Sequence, residues 1–111
     1  MRLPQEGILL RVFVGESDHY DGKPVYEQIV LKARELGLAG ATVLRGVMGF
    51  GATSRIHTTK FLRLSEDLPM VVEIVDTQDN LDALMPFLDE VVREGLVTME
   101  RARIITYRSG D

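Results

Sequence analysis

The chain passes twice through one order of elements: strand, amphipathic helix, strand. In the first half, Ile8 to Val14 is apolar except for Arg11 and is bounded by Gly7 and Gly15, which predicts a largely buried strand. Pro24 stands where a helix can begin without losing a hydrogen bond. Tyr26, Ile29, Val30, Ala33 and Leu36 then recur on one face, and Gly37 supplies a stop. LAGATVLRGVM, residues 38–48, predicts the returning strand because it is rich in β-branched and apolar side chains. In the second half, PMVVEIVD (69–76) predicts a strand and TQDNLDALMPFLDEVVREG (77–95) a helix. Leu81, Leu84, Met85, Leu88, Val91 and Val92 follow the three-four spacing of that helix. Asp76 or Thr77 is its expected cap, Pro86 an expected bend and Gly95 its expected end. VTMERARIITY (97–107) predicts the last strand.

This order is that of a split βαβ unit. It predicts an α+β ferredoxin-like βαββαβ sandwich: one domain over 1–111 with a four-stranded antiparallel sheet. Right-handed crossovers put both helices on one face of that sheet. Valine and isoleucine occur on both faces of the candidate strands, so the uncovered face is expected to be apolar and to drive self-association.

Composition narrows the function classes. Cysteine is absent, which excludes disulfide frameworks, thiolate metal sites and cysteine nucleophiles. The net charge of −4 argues against nucleic acid as a partner, because that binding rests on phosphate neutralisation by excess Lys and Arg. The N-terminal MRLPQEGILLRVFVGE has a short apolar run broken by Arg11, and no stretch approaches a membrane-spanning length. The expectation is a soluble, cytoplasmic protein.

Against this acidic background, residues 52–64 hold Arg55, Lys60 and Arg63 with His57 and no acidic side chain. They belong to a stretch between the second and third strands, about 49–68, far longer than the two to five residues of an ordinary hairpin loop. Gly49 and Gly51 permit positive φ and close backbone approach, and Thr53, Ser54, Thr58 and Thr59 set hydroxyls beside the cations. Such a set suits an anion, against the plainer reading of a solvated hairpin. For ESDHYDGK, turn chemistry and ligand contact stand level, since Asp, Gly and Ser favour turns in any case.

Other motifs fail on context. GVMGFG lacks the dinucleotide-fingerprint spacing, and no Gly-Lys-Ser/Thr follows it. His19 and His57 are the only histidines, too few for a zinc site without carboxylates or symmetry mates. No nucleophile elbow or metalloprotease helix is present, so an enzyme is not expected and no catalytic residue is assigned.

The residues ESDHYDGKPVYEQIV, ARELGLAGATVLRGVMGFGATSRIHTTKFLRLSEDLP and VVEIVDT resemble the PII signalling superfamily, and more closely its family of uncharacterised PII-like proteins. The resemblance spans nearly the whole chain. It implies a homotrimer with a long loop between strands two and three and nucleotides in the clefts between subunits. Gly49, Phe50 and Gly51 match the GFG that PII proteins place at the loop root, against the nucleotide. The turn before the last strand reads EGLVTMER where PII proteins carry GDGK, so a phosphate-binding lysine does not carry over there. Lys23, Arg45 and Arg108 are the cations left to supply charge.

On this resemblance an adenine nucleotide is the expected effector, with no required cofactor. It would contact Arg45, Gly49, Phe50 and Gly51 with Ser17, Asp18 and Lys23 of the preceding turn. Arg55, His57, Lys60 and Arg63 would address a partner protein, a membrane transporter or channel among the candidates, as some members of the group are associated with CrcB-type fluoride channels. The alternative is a structural adaptor that docks its loop without nucleotide.

Overall fold

The computed structural model of the protein describes residues 5–51 and 67–110. Its elements are β1 (Glu6–Gly15), β2 (His19–Tyr20), β3 (Lys23–Pro24), α1 (Val25–Glu35), β4 (Thr42–Arg45), β5 (Pro69–Asp76), α2 (Gln78–Val91) and β6 (Leu96–Arg103). The sheet order is β4-β5-β1-β6 with every neighbouring pair antiparallel, the ferredoxin-like arrangement that the element order predicts. Arg55, His57, Lys60 and Arg63 lie outside the described residues.

Alternation in the central strands decides what each face does. Leu10, Val12 and Val14 of β1 and Met70, Val72 and Ile74 of β5 are buried against Val25, Ile29 and Ala33 of α1 and Leu81, Leu84, Leu88 and Val91 of α2. Both helices therefore cover one face, and burial of each large apolar side chain there contributes on the order of 1.5–3 kcal/mol. The register builds three rows on the other face. Leu44, Val71, Phe13 and Leu96 stand side by side, next come Thr42, Glu73, Arg11 and Thr98, and then Val75, Leu9 and Glu100. Leu44 and Leu96 are about half exposed, so this face is open.

Four expectations change. The stretch 16–24 contains a small hairpin, β2 with β3, turned through Asp21 (φ 55°) and Gly22 (φ 80°). Two-residue strands are too short to show a period, whereas the Asp-Gly pair is the local signal for such a turn. The second strand is four residues long rather than filling 38–48. Ahead of it, the Ala39 N–H goes to the Asp76 carboxylate; behind it, Gly46 makes the last bond, to Pro69 O, where β5 begins.

Helix α2 runs through Pro86 and stops at Val91, four residues before the expected glycine. Gly95 instead serves the turn into β6. Its φ is 148°, and a Cβ there would lie 2.3 Å from the Phe13 carbonyl oxygen. Strand β6 ends at Arg103, after which Ile104 N–H bonds Gln5 O and the tail crosses the end of the sheet, where the Tyr107 hydroxyl donates to Ala39 O at 3.0 Å.

Candidate functional site

β1 and β4 leave the sheet, and β5 enters it, at one end. There the segment 67–69 is fastened on both sides: Glu16 N–H bonds Leu68 O at 2.8 Å, Ser17 N–H bonds Asp67 Oδ1 at 3.1 Å, and Gly46 N–H bonds Pro69 O at 2.7 Å. The Pro69 ring packs against the glycine segment so closely that a Cβ on Gly46 would lie 2.6 Å from its Cγ, and one on Gly49 2.9 Å. Of the two uses glycine permits at position 49, positive φ and close approach, the fold takes the second. The positive-φ glycines among the described residues are Gly22, Gly37, Gly95 and Gly110, and Gly49 is needed for close approach. Between these anchors, Val47, Met48 and Phe50 face outward, Val47 at 85% and Phe50 at 77% exposure. Three apolar side chains are thus held out from the loop root.

The expected ligand residues separate in this geometry. Arg45 forms a two-pronged pair with Glu16, Nε to Oε2 at 2.9 Å and Nη2 to Oε1 at 3.0 Å, so its charge is already balanced. Asp18 works as a turn residue, its Oδ2 accepting Gly15 N–H at 2.8 Å and its carbonyl accepting Val25 N–H at 2.9 Å. Ser17 reaches the loop return through its backbone. Lys23 lies on the β2–β3 hairpin, where its carbonyl accepts from Gln28 Nε2 at 2.9 Å. Arg45 through Glu16, Ser17 through Asp67 and Gly49 through Pro69 are thus tied to the 16–17 and 67–69 segments, Asp18 holds the 15–18 turn, and Lys23 stands on the neighbouring hairpin.

Behind the 15–18 turn is a depression of about 250 Å³ lined by Ser17, Asp18, His19, Val25, Val91, Arg93 and Glu94. His19 Nδ1 lies 2.6 Å from Ser17 O, a contact that assigns the ring proton to Nδ1. The Arg93 guanidinium stacks over the Tyr20 ring at 5.4 Å, and the Tyr20 hydroxyl donates to Glu90 at 2.8 Å. That bond, with partial loss of water, holds the Tyr20 phenol above its ordinary range, against the opposing charge of Arg93.

A larger space opens at the opposite end of the sheet. A cleft of about 680 Å³ runs over Leu9, Glu73 and Val75 of the open face, between the 39–42 segment and the tail 102–107. Leu9, Val75, Ile104 and Ile105 give it apolar walls; Thr42, Glu73, Arg103, Thr106 and Tyr107 give it polar groups. Its size falls within the usual span of small-molecule sites, roughly 300–1,000 Å³. None of its lining residues stands among the expected site residues. The signal for it in the sequence was weak: the RARIITYR ending reads as an ordinary strand until the tail is seen to cross the sheet.

Beside the cleft, Arg11 bridges three strands. Its Nε meets Glu73 Oε2 at 2.9 Å and its Nη1 meets Glu100 Oε1 at 2.5 Å, contacts that raise the guanidinium pKa, Glu73 first, although partial desolvation opposes them. Among the described residues, no group of three His, Cys, Asp or Glu side chains is placed to hold a metal, and no helix is long and apolar enough to cross a membrane.

Comparison with known proteins agrees with this architecture. The family model DUF190, described as "Uncharacterized ACR, COG1993", matches residues 7–104. A UPF0166 protein of Aquifex aeolicus (strain VF5) is 39% identical over 99 residues, covering 87% of this chain and 91% of its own. A UPF0166 protein of Methanocaldococcus jannaschii is 32% identical over 90 residues, covering 80% and 82%. Among solved structures, a PII-like signalling protein of Thermus thermophilus superposes with a TM-score of 0.59 at 11% identity, covering 90% of each chain. CPII of Thiomonas intermedia K12, solved with ADP and bicarbonate, gives 0.59 at 15% identity, covering 89% of this chain and 88% of that one. The fold is that of PII-like signalling proteins.

Proposed function

This chain belongs to the DUF190 family, and on that premise we propose that it is a non-catalytic, cytoplasmic regulatory protein: a homotrimer that binds an adenine nucleotide between subunits and signals through its 49–68 segment to a partner, a membrane transporter or channel among the candidates. One observation carries the reading. The features suited to a nucleotide lie at opposite ends of one sheet, the cleft at Leu9, Val75 and Ile105 and the loop root at Gly46 to Phe50. Six residue steps along β1 separate Leu9 from Gly15, about 20 Å at 3.3 Å per residue. Within a single chain a nucleotide does not bridge that span.

A head-to-tail contact between copies sets the cleft of one against the loop root of the next, and a closed ring repeats that contact. The apolar cleft walls suit a base, Thr42 and Glu73 suit ribose hydroxyls, and Arg103 supplies charge for phosphates. The ADP in the CPII structure is consistent with this ligand class. The exposed Val47, Met48 and Phe50 favour a second reading, an adaptor that docks these side chains into a partner without nucleotide.

Light scattering combined with calorimetry separates the readings. Protein freed of co-purified small molecules is expected to form particles of three chains and to give saturable heat with AMP, ADP, ATP or a cyclic adenine nucleotide, one site per chain. A trimer that gives no heat with any of them supports the adaptor. Single chains at micromolar concentration overturn the inter-subunit site.

A further inference from the structure

The open face of the sheet carries a charge imbalance at its centre. Arg11 from β1 is the one cation, among the described residues, within hydrogen-bond reach of two carboxylates, Glu73 from β5 and Glu100 from β6. β4 presents Thr42 beside them, and Arg103 stands at the cleft rim. The row above is apolar, Leu44, Val71, Phe13 and Leu96, and the row below sets Val75 and Leu9 beside Glu100. In the free chain this cluster is wet, with the Glu100 side chain 58% exposed and Arg11 37%. An exposed cluster of this kind contributes little to folding.

Packing of a second copy over this face changes that balance, because it withdraws water from the cluster along with the apolar side chains beside it. A desolvated ion pair is tolerable when its charges cancel and costly when one is left over. Arg11 cancels one carboxylate and leaves the other. The face carries both signs among apolar side chains, so a second copy of the same chain offers complementary chemistry to it.

We infer that Arg11, Glu73 and Glu100 set the strength of self-association, Arg11 as the counterion that permits the open face to be covered and Glu100 as the surplus charge that keeps the assembly weaker than its apolar contacts alone would make it. The inference rests on the trimer reading for its occupant and goes beyond it in assigning opposite effects to two partners of one salt bridge. Were Arg11–Glu100 an ordinary stabilising bridge, loss of either side chain would weaken assembly. Under the inference, Glu100→Gln tightens it, since the amide oxygen still accepts from Arg11 while the surplus charge is gone. Arg11→Met loosens it, since two carboxylates are left unpaired among apolar side chains.

The test is a dilution series of the full chain followed by light scattering, with circular dichroism melting as the check on folding. Glu100→Gln is expected to lower the dissociation constant of self-association about tenfold or more, and Arg11→Met to raise it by at least as much. The triple variant Arg11→Met, Glu73→Gln, Glu100→Gln should assemble at least as tightly as the wild type. If Arg11→Met fails to fold, the sign of the Glu100→Gln effect carries the test. Weakening by Glu100→Gln, or no change with it, overturns the inference while an assembled wild type leaves the trimer standing. If wild type and Glu100→Gln both remain single chains at every concentration, the trimer reading and the inference fall together.

Discussion

Asp76 accepts the backbone N–H of Ala39 through its Oδ2 at 2.8 Å, tying the end of one central strand to the approach of an edge strand. Its Oδ1 accepts Thr77 N–H at 2.7 Å and Asn80 Nδ2 at 2.8 Å, and the residue is fully buried. No cation takes part in these contacts. The carboxylate is satisfied by three donors at the start of α2, where the helix dipole also favours negative charge. Thr77 completes the cap by accepting Asn80 N–H at 3.1 Å.

Replacement of Asp76 therefore strands several donors at once. Asp76→Ala should cost about 3 kcal/mol or more, the sum expected when buried donors lose their acceptor, and Asp76→Asn about 1–2 kcal/mol. Urea unfolding is the measurement: the midpoint should fall in both variants with the slope unchanged.

At the loop root, Gly46 is required by space. Gly46→Ala would set a Cβ 2.6 Å from Pro69 Cγ and 3.2 Å from Pro69 O, and should cost about 1–3 kcal/mol. Pro69→Ala in the same chain should recover part of that loss. Gly40→Ala meets nothing within 4 Å and should stay within about 0.5 kcal/mol of the wild type.

Tyr20 gives an optical reporter of the hairpin. Its phenol is held above the ordinary tyrosine range, first by the bond to Glu90, so Glu90→Gln should bring its ionisation to lower pH in an ultraviolet titration. The linkage has one sign: a folded-state value raised above the unfolded one favours folding below the unfolded pKa, near 10, and that contribution disappears as pH rises through the folded value. The stability difference between wild type and Tyr20→Phe should accordingly shrink in strongly alkaline solution. A difference that grows there would contradict the Tyr20–Glu90 contact.

The cleft can be probed apart from the loop. Ile105 is 80% exposed, so Ile105→Glu should leave the melting temperature of the chain nearly unchanged. It should nevertheless weaken nucleotide binding about tenfold or more in calorimetry, because it places an anion where a base and phosphates are expected. Unaltered binding would move the nucleotide away from the 102–107 tail.

The cations of 52–64 lead to a kinetic expectation. Changing Arg55, Lys60 and Arg63 together to Gln should slow association with an anionic ligand or acidic partner, and the wild-type interaction should weaken with added salt. Stopped-flow association rates at two ionic strengths decide it.

Much of the architecture was legible in the residues because burial has a period. The apolar run PMVVEIVD marks β5 with the bounds it has in the fold, and the three-four spacing from Leu81 to Val91 marks the buried stripe of α2. The order of two strand-helix-strand units then leaves few ways to build a sheet, and the ferredoxin-like one is observed. The GFG segment and the 15–18 turn were also legible as glycine- and turn-rich stretches, and in the fold Gly49 packs on Pro69 while Ser17 N–H bonds Asp67, two residues before it.

Contacts between segments far apart in the chain were out of reach of any such pattern. The length of β4 depends on where β5 begins and on the Asp76 carboxylate taking the Ala39 N–H, a bond across 37 positions. Nothing local in the sequence pairs Arg45 with Glu16, 29 positions away, and the cleft exists because the tail after β6 crosses the sheet to place Tyr107 on Ala39. By itself, then, the sequence determined the order of the main strands and helices and the buried stripe of each helix, since periodicity is a local property of hydrophobic burial. Only the tertiary structure decided which charges are paired, where strands stop and where a ligand has room, since each of those depends on atoms brought together by the fold.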